Sequence, residues 1–154
     1  MRVLAVDPGS RVSGWALIDD EGKVEASGAV KATRLELMAQ RLDELFFGAG
    51  IDWRYPVLVV ERTPKTSKVP RDFYMPGVAA GLWIMAWWTH AHFDGDPVLV
   101  RAGDWQRPML GKRRTKETSK ARAIAEAGRD IDDDNEADAI CLGVWWWMTH
   151  REAR

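Results

Sequence analysis

Cysteine is nearly missing from this sequence: Cys141 is the only one among 154 residues. A lone thiol excludes an internal disulfide and a cysteine zinc site, and an apolar helical setting gives Cys141 the ordinary role of a small core residue. Histidine is almost as scarce. His90 and His92 stand at one helix end with no third histidine nearby, so imidazole ligation of a metal is not expected there. Long apolar runs are lacking too: none approaches the roughly 20 residues that span a bilayer. Met1-Arg2 leads directly into strand-like sequence without a charged-then-apolar leader, so a cytoplasmic protein with no membrane partner is expected. Nor is there an internal repeat or a low-complexity linker. A net charge of -1 looks uninformative, yet the charges are segregated along the chain.

What is present suffices for one α/β-sized domain over residues 1–154, with 46% apolar and 29% charged residues. Three strands come first, at Arg2–Val6, Gly14–Asp19 and Lys23–Val30, and read as an antiparallel meander. A helix follows over Thr33–Phe47. Val57-Leu-Val-Val60 is a continuous apolar run, as in a strand buried on both faces and parallel to a neighbour. Arg62 to Pro76 reads as a polar, basic, proline-punctuated loop, and Gly77–His92 as a helix rich in Ala and Trp. Pro97–Val100 is a short fifth strand. Lys116–Ala127 and Asn135–His150 are helical, separated by an acidic linker. The order is βββαβαβαα.

The first and fourth strands each run directly into a carboxylate. Asp7 closes Val3–Val6 just before Pro8-Gly9, and Glu61 closes Val57–Val60. An acid at a strand end is ordinarily a turn former or cap. Here, however, a meander followed by parallel strands sets the fourth strand beside the first, and a third acid, Asp138, sits early in the last helix. Three acids that converge repel one another unless a divalent cation neutralises them, and hard oxygen ligands with retained water suit Mg²⁺. The natural chemistry is phosphodiester hydrolysis with two ions about 3.5–4 Å apart.

These residues resemble the RuvC-type Holliday junction resolvases. Asp-Pro-Gly-Ser-Arg-Val-Ser-Gly-Trp at 7–15 is similar to that family's opening motif, Val-Val-Glu-Arg at 59–62 to its second carboxylate strand, and Glu-Ala-Asp-Ala at 136–139 to its closing helix. Trp105 through Gly111 and Lys116–Lys120 resemble the basic segment between. The resemblance implies an RNase H-like α/β fold, with a five-stranded mixed sheet and helices on both faces. It also implies a homodimeric, Mg²⁺-dependent endodeoxyribonuclease of DNA recombination and repair that cuts four-way junctions. Mn²⁺ would substitute, and each site would hold two ions. Carried over, Asp7, Glu61 and Asp138 are catalytic metal ligands. The family's fourth ligand, an Asp or His three positions before the last Asp, is here Asn135. A neutral amide can bind a metal or anchor a water; Asp134, four residues before Asp138 and hence on its face, is the rival.

Charge segregation points to a nucleic-acid partner independently of that resemblance. Arg107, Lys112, Arg113, Arg114, Lys116, Lys120 and Arg122 stand against one acid, Glu117, and an earlier arm holds Arg62, Lys65, Lys68 and Arg71. Such arms neutralise phosphates and release counterions. Phe73 and Tyr74 follow the first arm, where they either stack on an unpaired base or begin the next helix as core. The nine tryptophans are read as core or interface. Trp83 and Trp87, four apart on a helix with Ala79, Ala80 and Ala86, are read as a dimer interface. Besides a structure-selective endonuclease, two readings stand on the same fold. One is a junction binder with weak or no cleavage, motivated by Asn135, and the other a nuclease for other branched or hybrid substrates. An actin-like or sugar-kinase-like phosphotransferase also uses an Asp-x-Gly-Ser turn, but clamps its nucleotide between two such domains.

Overall fold

Alternation along the central strands decides what each face of the sheet carries. In the computed structural model, residues 1–48, 50–54, 56–62, 70–91, 95–112 and 114–151 are described, without the side chains of 70–74. Strand β1 (Val3–Asp7) pairs antiparallel with β2 (Val12–Ile18), which pairs antiparallel with β3 (Val24–Lys31). After helix α1 (Leu35–Gly48), strand β4 (Val57–Arg62) lies parallel to β1, and β5 (Val98–Arg101) parallel to β4. The five strands run in the order β3-β2-β1-β4-β5, the mixed sheet expected from the sequence.

Leu4, Val6, Leu58 and Val60 point to one face, where they pack with Met38, Leu42 and Phe46 of α1 and with Ala79, Trp83 and Trp87 of α2 (Pro70–His90). Val3, Ala5 and Val59 point to the other, against Trp105, Ala123 and Ile140. Those belong to α3 (Ala102–Leu110), α4 (Lys116–Ala127) and α5 (Asp134–His150) respectively. Helices therefore cover both faces. Among the described residues, no helix is long and apolar enough to cross a membrane.

Three expectations are corrected. Helix α2 begins at Pro70, not Gly77, and runs through Pro76. A proline at the first position loses nothing, because that N–H has no intrahelical acceptor. The bond lost at Pro76 is offset by the buried stripe Ala79, Trp83, Trp87 and Ala91. Second, α3, a helix missing from the expected order, starts directly from β5; it is nine residues long with Pro108 inside, too short and too broken to show periodicity. Third, Trp83 and Trp87 are not an interface: both are fully buried in this chain's own core. Trp83 meets Phe46 edge-on at 6.3 Å between ring centroids, and the Trp87 indole N–H donates to the Pro56 carbonyl at 3.2 Å. Among its described side chains, the large apolar ones that α2 does expose are Met85, at 59%, and Trp88, at 50%.

Candidate active site

The period of two that sends Ala5 and Val59 toward α5 sends Asp7 and Glu61 the same way. Val6 lies opposite Val60 in the parallel register, so the two acids follow as neighbours at the ends of adjacent strands. Asp138 reaches them from the second turn of α5. That helix sits unusually close to the sheet because two glycines let it. A Cβ on Gly14 would lie 1.8 Å from the Asn135 carbonyl oxygen, and one on Gly143 would lie 2.8 Å from Ile18. The start of α5 is fixed as well. Asp133 caps it, accepting from the backbone N–H groups of Asn135 at 2.9 Å and Glu136 at 3.2 Å.

Electrostatics separates the acids into two groups. Burial pushes the Asp7 carboxyl well above the usual carboxylate range, and the charges of Glu61, Asp138 and Asp133 push it further. Glu61 rises to about 7: burial outweighs the indole N–H of Trp105, Asp138 adds repulsion, and Arg114 opposes it. Asp138 is raised by burial against the Ser119 hydroxyl, with Asp134 adding repulsion. Asp134 behaves in the opposite way. It is held below its ordinary value by Lys116 and Lys120, whose ammonium groups stand 2.5 and 2.9 Å from its carboxylate.

Asn135 and Glu136 are engaged elsewhere. The Asn135 side-chain N–H donates to the Val12 carbonyl at 2.9 Å; a carbonyl only accepts, so the amide oxygen is the atom left to meet a metal or a water. Glu136 accepts from Ser27 at 2.8 Å and Arg129 at 2.5 Å, tying α5 to β3 away from the three acids.

Two partners were not read as site residues from the sequence. Trp105, fully buried on α3, donates its indole N–H to Glu61 Oε2 at 2.7 Å. Ser119, buried on α4, donates its hydroxyl to Asp138 Oδ1. Separations of 44 and 19 residues carry no periodic signal that would have joined these pairs. Among the described residues, no three His, Cys, Asp or Glu side chains are grouped so as to hold a metal ion; two of the three acids are turned onto these neutral donors. The donor set nevertheless fits a hard divalent cation, since oxygens that raise one another's pKa are what such an ion neutralises.

Of the residues read as DNA-binding, Arg62 and Arg114 are exposed at the same end of the sheet as Glu61, while Lys116 and Lys120 are paired with Asp134. Lys65, Lys68 and Arg113 lie outside the described residues, as do the side chains of Phe73 and Tyr74.

A mixed five-stranded sheet in this order, with helices on both faces, is an α/β RNase H-like fold. No family model matches the chain, and no curated protein matches its sequence. Solved structures do. RuvC of Thermus thermophilus in complex with Holliday junction substrate is similar over 99% of this chain and 96% of that one, with a TM-score of 0.77 and 18% identity. A second structure of Thermus thermophilus RuvC covers 97% and 96%, with a TM-score of 0.70 and 17% identity. At that identity the likeness is one of fold.

Proposed function

We propose that this chain is a structure-selective DNA endonuclease that resolves four-way junctions by metal-dependent phosphodiester hydrolysis, giving paired nicks. The observation that carries the reading is the arrival of Asp7, Glu61 and Asp138, from three separate elements, at one partly buried strand-end site. The fold is that of RuvC structures, one of which was solved on a Holliday junction. Asp7, Glu61 and Asp138 would hold Mg²⁺, or Mn²⁺ in its place, with the Asn135 amide oxygen completing the set for two ions. Bound there, the cations supply Lewis-acid activation of water and stabilisation of the leaving oxygen. The chain's own residues do the remainder. Arg62 and Arg114 meet backbone phosphate beside the acids, the α4 lysines extend that contact, and burial keeps bulk water from competing.

Paired nicks require two sites on one junction, so the working unit is a two-fold homodimer. Asn135 favours a second reading, a junction binder with weak cleavage, because a neutral ligand leaves the site one charge short. Incubation with synthetic four-way junctions in Mg²⁺ and in Mn²⁺ separates the two. Symmetric nicks that vanish in chelator are expected. Tight junction binding without nicks in either metal would leave the binder, and cleavage of RNA–DNA hybrid in preference to junctions would redirect the substrate.

A further inference from the structure

Glu61 and Asp138 share a feature that Asp7 does not: each has one oxygen tied to a neutral, buried donor on a neighbouring helix. Trp105 is fully buried and its indole N–H can only donate, so the 2.7 Å bond to Glu61 Oε2 fixes which oxygen of that carboxylate faces α3. Ser119 is 3% exposed, and its hydroxyl fixes Asp138 Oδ1 in the same way. The backbone behind Ser119 is anchored in turn, since its carbonyl accepts from the Cys141 thiol at 3.7 Å across the α4–α5 contact.

We propose that Trp105 and Ser119 are positioning residues that present single oxygens of Glu61 and Asp138 to the metal, and thereby make the site selective for small cations over Ca²⁺. The inference rests on the metal-site reading given above. Its reasoning is coordination chemistry. Ca²⁺ takes about 6–8 oxygens at roughly 2.3–2.6 Å and readily uses both oxygens of a carboxylate, whereas Mg²⁺ demands about 2.0–2.1 Å and keeps several waters. A carboxylate with one oxygen already accepting from a buried donor is disfavoured as a two-oxygen chelate and offers its other oxygen more readily. Two such carboxylates favour the ion that needs fewer protein oxygens: releasing Glu61 to chelate Ca²⁺ would strand a buried indole N–H, and releasing Asp138 would leave the Ser119 hydroxyl only the Cys141 sulfur at 4.0 Å. Outer partners of metal ligands commonly carry this degree of control.

Calorimetric titration of the purified, metal-free chain with Mn²⁺ and with Ca²⁺ tests it. Four proteins are compared: the parent, Ser119→Ala, Ser119→Thr and Trp105→Phe, each checked for folding by circular dichroism. The parent should take Mn²⁺ in preference to Ca²⁺. Ser119→Ala and Trp105→Phe should lose about 10–100-fold in Mn²⁺ affinity, with a smaller loss or a gain for Ca²⁺, while Ser119→Thr keeps the hydroxyl and the parental ratio. If Trp105→Phe does not fold, the serine pair decides. Parental Mn²⁺ affinity in folded Ser119→Ala would overturn the positioning role, and equal losses for both ions would overturn the selectivity. A parent that binds no Mn²⁺ sinks the metal site itself, a different failure seen before any variant is compared.

Discussion

At the scale of single residues, the acids are stabilising only when something positive arrives. Glu61 has an ordinary value of 4.5 and stands at about 7 in the folded chain, so between those values the native state holds more protons than the unfolded one. Stability of the metal-free protein should therefore fall as pH climbs through that window and level off above it, by about 3 kcal/mol from this group. Glu61→Gln should flatten the curve and raise the metal-free melting temperature at pH 8, while cleavage in Mg²⁺ falls by orders of magnitude. Thermal melts in chelator from pH 5 to 8 check the first claim; a parental curve that rises with pH would refute it. Asp7→Asn and Asp138→Asn should likewise remove cleavage without unfolding the chain. Asp7 and Glu61 were legible because a period of two and an abrupt end to an apolar run are local signals. Asp138 was legible through its motif. Their buried donors, Trp105 and Ser119, were not, because side-chain pairing across helices follows from packing and leaves no trace in spacing.

At the scale of elements, α4 holds its cations in reserve. The sequence showed a run of basic residues and invited the reading of an open phosphate-binding arm. The structure sets Asp134, the first residue of α5, on both Lys116 and Lys120. That pairing was hidden because it joins two helices, α4 and α5, that meet only through tertiary packing. An acid lying on two lysines competes with phosphate for them. Asp134→Asn should therefore tighten binding to any DNA at low salt and steepen the slope of log K against log salt by roughly 0.9 for each additional phosphate neutralised. Lys116→Ala with Lys120→Ala should do the reverse. Fluorescence anisotropy across a salt series measures both, and an unchanged slope in the Asp134 variant would mean that these lysines do not meet the backbone. The start of α2 was misplaced because the prolines between Arg62 and Pro76 were read as punctuating a loop, but a buried stripe outweighs one missing hydrogen bond.

At the scale of the whole molecule, the question is what covers α2. From Met75 to Thr89 this helix carries no charged residue, yet one side of it faces outward through Gly77, Gly81, Met85 and Trp88. Trp83 and Trp87, on the opposite side, already fill the core between α1 and the sheet, so they cannot also meet a partner. If two copies assemble for paired nicks, the small residues at 77 and 81 permit close backbone approach, and Met85 and Trp88 supply apolar surface next to them. The two faces of one helix thus make opposite predictions. Met85→Glu with Trp88→Glu should give a folded monomer that nicks one strand of a junction and no longer makes symmetric pairs. Trp83→Ala should instead destabilise the fold by about 3–5 kcal/mol. Sedimentation velocity at micromolar concentration, free and with junction DNA, decides between assembly and none. A parent that stays monomeric in both states would remove the dimer and leave a single-strand nicking enzyme on this site, whereas a dimer that survives both glutamates would move the interface off α2.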